Sequence, residues 1–297
     1  MINMHNKNLR KRIRLNVSFD KIQMIRFVGA LLEADFDFDF PSESKIVLDH
    51  LSHHFNIKYS INTDDLPVIE DISITHEEQP MCKIGSLSKP LVYPKEMLDK
   101  CKAKWNGQRS IKFSFTGLMT PNRKRCLDEW VSLHFYQQNI DKNKIKVSKN
   151  SRKDKLLNML HFFDNRANGK VVFKNIGLQI FTSSQGRQFP IKVWDEEYYD
   201  TLAKTQFVLC PDGDFTWTYR FFEAIICGAI PVVENPCSLY GGFEYFSMKD
   251  PIEKLFYSQE IAERNFHRVE SKFAFKKVDL NNQISSLINS STQDFRH

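Results

Sequence analysis

An α/β fold of two Rossmann-like halves is what this sequence predicts, and three observations predict it. The segment FVLCPDGDFTWTYRFFEAIICGAIPVV, Phe207 to Val233, reads as a buried strand, a polar loop, a helix from about Tyr219 to Cys227, a turn at Gly228 and a second apolar strand. Strand, crossover helix and strand in that order make a parallel βαβ unit. The first third of the chain has the same alternation of strand and helix periods. A length of 297 residues with 41% apolar content is enough for two domains of ordinary size.

Taken in order, Arg12 to Phe19 alternates and is rich in β-formers, a first strand. Glu33 to Ser44 breaks the pattern with acids, Pro41 and serines. Lys45 to Phe55 then places Ile46, Leu48, Leu51 and Phe55 on one helical stripe. Ile57 to Ile61 is a short strand, Asp64-Asp65 a turn and Val68 to Ile74 another apolar strand. Pro80 to Lys104 carries three prolines (Pro80, Pro90, Pro94) and little periodicity, so it reads as a connection ending at Trp105-Asn106-Gly107. The expected domains are therefore 1–106 and 107–297.

The second half opens with an alternating strand, Ile111 to Thr116, followed by Gly117, the loop TPNRKR and a helix carrying Leu127, Trp130, Val131 and His134. A lysine-rich stretch, Lys142 to Lys155, reads as an exposed linker, and Leu156 to Phe163 as helical. Val171 to Phe173 and Gln179 to Thr182 are short strands, with a glycine turn from Ser183 to Gln188 that carries Arg187 at its edge. Glu196 to Thr205 is an amphipathic helix ahead of the strand at Phe207. After Val233 come Glu234-Asn235-Pro236, Gly241-Gly242 and helices ending near Ile288.

Composition narrows the classes. No stretch approaches the run of about 20 apolar residues that spans a bilayer, and the N-terminus lacks the apolar segment of a signal peptide. The six cysteines, Cys82, Cys101, Cys126, Cys210, Cys227 and Cys237, show no metal-binding spacing and several lie in apolar runs, as reduced buried thiols do. A net charge of +6 suits an anionic small molecule or an anionic membrane surface, and leaves nucleic acid open.

Chemistry concentrates at the front of the helix at Tyr219. Thr218, Arg220 and Glu223 stand where a helix N-terminus offers unpaired N–H groups and a positive dipole end to an anion. Arginine supplies a planar fork for phosphate oxygens, and a carboxylate one turn on accepts from two vicinal hydroxyls. A ligand bearing phosphates and a diol fits such a place. The same three-residue spacing is also met by a solvated surface pair.

The run PDGDFTWTYRFFEAIICGAIPVV resembles the C-terminal signature of exostosin-like glycosyltransferases, a CP-x-G loop followed by S/T-x-RFFEAI-x-x-G-x-IPV. The likeness is specific over these residues and looser over about 107–240. It implies the GT-B architecture, two Rossmann-like domains facing a cleft, here with a small N-terminal domain and a last helix, 280–290, that could return to pack on it. By resemblance Glu223 holds the donor's ribose hydroxyls and Arg220 faces its diphosphate. Thr218 and Tyr219, with Asp212, Gly213 and Asp214, shape the pocket. Gly117 belongs to the strand–Gly–loop–Arg–helix element that opens the nucleotide-binding half, and Arg123 reaches the diphosphate from that helix start. Arg187 is a third basic candidate.

Inversion at a sugar also needs a base for the acceptor hydroxyl. The strand Asp71 to Thr75 runs into His76-Glu77-Glu78-Gln79-Pro80, and a strand end of this kind lines the crevice in open α/β sheets. In fucosyltransferase-like relatives a strand-end Glu before a small residue and Pro is the base, which Glu78 resembles, with Gln79 departing from the pattern. His76 and Glu77 are the reserves. Asp35-Phe36-Asp37-Phe38-Asp39 contains D-x-D twice, the metal motif of another glycosyltransferase architecture, but no long apolar strand precedes it. His50 and His54 share a helix face without a third ligand, so no metal site is expected.

The function expected is an inverting, metal-independent transfer of a sugar from a nucleoside diphosphate, UDP first and GDP second, to a hydroxyl of an oligosaccharide or glycoconjugate acceptor. UDP-xylose is one such donor, and no further cofactor is required. A catalytically silent glycan- or nucleotide-binding subunit of the same fold is the alternative. A nucleic-acid protein using Lys142–Lys155 is a third reading, without any recognition motif to carry it, so no nucleic-acid partner is expected. Exostosin-like enzymes of secretory compartments normally carry a membrane anchor ahead of the catalytic part. None is read here, which makes a cytoplasmic location the expectation, with peripheral membrane contact left open.

Overall fold

The computed structural model describes residues 11–63, 66–105, 107–135, 169–173, 176–183 and 193–294. It divides into two compact units, one of residues 1–97, 189–194 and 272–297 and the other of residues 98–188 and 195–271.

The first unit begins β1 (Arg12–Leu15), α1 (Ile22–Leu31), β2 (Asp37–Phe40), α2 (Lys45–His54), β3 (Ser60–Ile61) and β4 (Val68–Ile69). These strands form a four-stranded parallel sheet in the order β3-β2-β1-β4, the Rossmann-like arrangement expected. Ile13, Leu15, Phe38 and Phe40 are sealed between sheet and helices. α1 is buried along nearly its whole length, Gln23 and Arg26 included. Arg26 Nη1 donates to the Tyr93 hydroxyl at 3.1 Å, and Gln23 Nε2 to the Val92 carbonyl at 3.2 Å.

Several expectations for this unit are corrected. The acid-rich break at 33–44 holds β2, because Phe36, Phe38 and Phe40 recur with period two and are all buried. Of its acids, Asp39 lies fully inside the sheet, accepting from Arg14 Nε at 3.1 Å and from the Thr63 amide at 3.0 Å, so it serves the fold. Asp35 is tied to Asn281. The apolar run expected as one strand from Val68 to Ile74 is two, β4 in the parallel sheet and β5 (Ile72–Thr75) in another. With β6 (Met81–Ile84) and β7 (Leu87–Lys89), β5 makes a three-stranded antiparallel sheet. The proline-bearing connection thus contains two strands and α3 (Lys95–Ala103). On α2 the inward face is Val47, Leu48 and Leu51, while Ile46 is 59% exposed.

The second unit contains β8 (Ile111–Leu118), α4 (Pro121–Phe135), β9 (Gly169–Phe173), β10 (Leu178–Ser183), α5 (Glu196–Ala203), β11 (Thr205–Cys210), α6 (Tyr219–Ile226), β12 (Ile230–Val233), β13 (Phe246–Ser247) and α7 (Gln259–Phe273). Its six-stranded sheet runs β13-β12-β11-β8-β10-β9, parallel except for β9. Phe113, Phe115, Leu178, Ile180, Phe207, Leu209, Ile230 and Val232 form its core, with Trp130 of α4 edge-on to Phe113. Thr205, expected at the end of a helix, is the first residue of β11. Five cysteines are buried, Cys237 is half-buried, and all six are free thiols.

A last helix, α8 (Lys277–Asp294), belongs to the first unit. Asn281 exchanges hydrogen bonds with Asp35 at 2.9 Å, Lys277 pairs with Asp35 at 2.7 Å, and the Tyr93 amide donates to the Phe273 carbonyl at 3.0 Å.

Asp39→Ala is expected to destabilise the first unit by roughly 2 kcal/mol in a denaturant titration, because it removes the acceptor of the Thr63 amide and of Arg14 Nε. Burial alone would raise the Asp39 carboxyl, but the hydrogen bonds from Thr63 and Arg14 hold it below its ordinary 3.8. A depressed carboxyl contributes fully above its unfolded value and loses that contribution as pH falls through the folded one. The gap between wild type and variant should therefore close on acidification below pH 3.8.

Candidate functional site

The order of the six-stranded sheet fixes where a ligand can sit. From β8 the chain passes to β10 on one side, then returns to β11 on the other, so β8 and β11 flank a switch point. Crevices open outside the carboxyl ends of such strands. Gly117 and the loop to α4 leave β8 there, and the loop from Pro211 to Thr218 leaves β11 beside them.

Thr218 caps α6 in an extended conformation, its side chain accepting from the Arg220 amide at 3.4 Å. The Thr218 amide in turn donates to the Tyr240 hydroxyl at 2.8 Å, and Tyr240 stacks on Phe221 at 3.8 Å. The helix start is therefore held from behind by packed aromatic rings.

Arg220 is buried, at 6% exposure. Its Nε donates to the Thr116 carbonyl at 2.8 Å and its guanidinium lies over the Phe115 ring at 4.3 Å, while Nη1 has no hydrogen-bond partner among the described residues. Arg123, in the first turn of α4, donates from Nε to the Asp212 carbonyl at 3.2 Å and from Nη1 to the Leu118 carbonyl at 3.1 Å. The two guanidiniums thus lace the ends of β8 and β11 together. Burial, and then the neighbouring Arg220 charge, push Arg123 down to about 10 from an ordinary 12.5. Asp214, exposed on the loop, acts the other way.

Two glycines are explained by these arginines. Gly117 has φ +144, and a Cβ there would collide with Arg220 Nη2. At Gly213 a Cβ would stand 2.8 Å from Arg123 Nη2. Glu223, one turn into α6, is 2% exposed and accepts from the Tyr198 hydroxyl at 2.5 Å. Asp212 is fixed through its amide to Glu234 at 3.1 Å and through its carboxylate to Asn235 Nδ2 at 2.8 Å. Tyr219 is half-buried with its ring edge-on to Trp217 at 5.0 Å.

Of the residues singled out in the sequence, Gly117, Arg123, Asp212, Gly213, Thr218, Tyr219, Arg220 and Glu223 all gather at this one place. Arg187 lies outside the described residues, as do the lysine-rich stretch 142–155 and the helix expected at 156–163. Glu78 is exposed in the first unit, on the turn from β5 to β6. That turn joins antiparallel strands, so it is not the parallel strand end expected. Tyr198, Tyr240 and Glu234 had no role assigned from sequence. Only Glu234, immediately after an apolar strand, carried a usable signal. Among the described residues no three His, Cys, Asp or Glu side chains gather to hold a metal ion.

The mixed α/β fold with parallel sheets is of GT-B type, and its second unit gathers a buried arginine, a half-buried arginine and a buried acid at a switch point. A family model described as the Exostosin GT47 domain matches residues 53–236, more than half of the chain. The chain belongs to the exostosin GT47 family, a family of glycosyltransferases. Among solved structures, a chain titled "Crystal structure of GtfA/B complex" is 13% identical over 86% of this chain, with a TM-score of 0.30, and this chain spans 46% of its length.

Gly117→Ala is expected to cost about 1 kcal/mol of stability through its backbone strain and to displace the Arg220 guanidinium. Inorganic pyrophosphate should protect the wild type against heat and protect this variant much less.

Proposed function

We propose that the protein transfers a sugar from a nucleoside diphosphate donor to a hydroxyl of a glycan acceptor, with inversion and without a metal ion. The observation that carries the reading is the buried Arg220 guanidinium, one nitrogen of which lacks a partner among the described residues, beside the half-buried Arg123. Two like charges out of water are costly unless an anion joins them, and a departing diphosphate is such an anion. Their charges would stabilise it as the glycosidic bond breaks, the role preorganised donors play at developing charge.

Glu223 would accept from the ribose hydroxyls, and Thr218 keeps the helix start open toward the phosphates. The Asp212-Gly213-Asp214 loop lies against Arg123, so its shape follows the arginine and bears on donor fit. UDP is the nucleotide favoured, with GDP second, on the resemblance to exostosin-like enzymes. Glu78 is the proposed base that takes the acceptor proton, its exposed carboxylate lying on a turn that a sugar could approach.

Calorimetric titration with UDP and GDP tests the donor site directly, and failure of both to bind would remove it. Arg220→Ala should weaken diphosphate binding by about tenfold or more, the worth of a charge-assisted hydrogen bond. Glu78→Gln should leave donor binding intact and slow transfer by at least ~100-fold. A fully active variant would exclude Glu78 as the base. Transfer undiminished by a chelator, with a product of inverted anomeric configuration by NMR, is the expected outcome for the mechanism.

A further inference from the structure

Strand β8 carries two hydroxyls on one face, and they fare differently. Phe113 and Phe115 pack in the core with Trp130 of α4, so Ser114 and Thr116 turn to the other face by the alternation of a strand. The Ser114 hydroxyl is hydrogen-bonded to that of Thr205 at 3.0 Å. Thr116 Oγ1, two residues nearer the carboxyl end, is shut off from solvent and has no hydrogen-bond partner among the described residues. The Thr116 carbonyl, by contrast, accepts from Arg220 Nε at 2.8 Å. Arg220 Nη1 is the other unmet atom at this place. Among the described residues of the second unit, three side chains bury a polar atom in this way: Thr116, Gln179 and Arg220. Gln179 pairs with Ser114, deeper in the sheet, so two of the three meet where the switch point opens.

We infer that the Thr116 hydroxyl is a ligand contact of the donor site, donating to the same diphosphate that the Arg220 guanidinium holds. The inference rests on the donor-site reading above. A hydroxyl sealed from water without a partner destabilises a fold, and valine would suit the same strand position without that cost. The oxygen therefore does nothing for the strand until a ligand accepts its proton. A guanidinium nitrogen can only donate, and a hydroxyl has one proton to give. Two unmet donors suit a ligand rich in acceptors, and diphosphate oxygens are acceptors only. One hydrogen bond joins Arg220 to the Thr116 backbone, so both atoms lie within the length of one nucleoside diphosphate.

No covalent step is involved, and the hydroxyl acts through binding alone. In the sequence Thr116 reads only as the last residue of an alternating strand. What singles it out is Arg220, 104 positions away, whose side chain ends on its carbonyl.

Full-length wild type, Thr116→Val and Thr116→Ser are compared by melting temperature without ligand, then by calorimetric titration with inorganic pyrophosphate and with UDP. Thr116→Val keeps the carbonyl that anchors Arg220 and removes only the hydroxyl. It should melt no lower than wild type, since it gives up no hydrogen bond within the fold. Its affinity for both ligands should fall about tenfold, as for the loss of a hydrogen bond to a charged group. Thr116→Ser keeps the hydroxyl and should bind both as wild type does. Thr116→Ala takes the place of the valine variant in the titrations if that variant does not fold. A wild type that binds neither ligand overturns the donor-site reading and this inference with it. A wild type that binds, with a folded Thr116→Val or Thr116→Ala that binds equally well, overturns the inference and leaves the donor site standing. Equal losses in Thr116→Val and Thr116→Ser would trace the effect to side-chain shape and overturn it likewise.

Discussion

Two arginines that repel each other organise the second unit. Arg123 and Arg220 start from different helices, yet both guanidiniums end beneath the carboxyl ends of β8 and β11, donating to the carbonyls of Thr116, Leu118 and Asp212. Backbone carbonyls offset part of the cost of taking these charges from water, and the depressed Arg123 shows that they do not offset all of it. The surroundings follow from this constraint. Glycine is required at 117, where φ is positive and a Cβ would occupy guanidinium space, and a side chain at 213 would press on the end of Arg123. The loop after β11 takes its course because Asp212 must present its carbonyl to Arg123.

Rigidity behind the charges matters as much as the charges. α6 is packed on Tyr240 and Phe243 through Phe221 and Phe222, which are fully buried. The Tyr240 hydroxyl takes up the amide of the capping threonine. At the far end of the helix, Arg109 Nη2 donates to the Cys227 carbonyl and Trp105 Nε1 to that of Ile226, so the C-terminal carbonyls are met as well. A helix fixed at both ends can hold a guanidinium in one orientation, which is what binding to a charge that develops during reaction demands.

Legibility varied along the chain for physical reasons. The unit from β11 to β12 could be read because its strands are apolar throughout and its helix is polar only at its start. Arg220 and Glu223 stood out for the same reason: they are charged residues in an otherwise apolar helix. The first unit was harder. β2 alternates phenylalanine with aspartate, and an inward aspartate such as Asp39 looks like a loop residue until Arg14 and the Thr63 amide are seen beside it. The division between β4 and β5 could not be read either, because one apolar run serves two sheets. Prolines 80, 90 and 94 hid two strands, since they stand at strand edges and a helix start, where proline is tolerated.

The sequence by itself determined that a βαβ unit closes around a helix bearing a threonine cap, an arginine and a glutamate, because local period and capping chemistry depend only on near neighbours. It determined also that Gly117 and Arg123 follow a strand. Tertiary structure alone decided that these two elements share a switch point and that their arginines are desolvated together. It alone supplied a tyrosine for the buried acid. Those outcomes depend on strand order and on contacts between residues up to 104 positions apart, which no local period records.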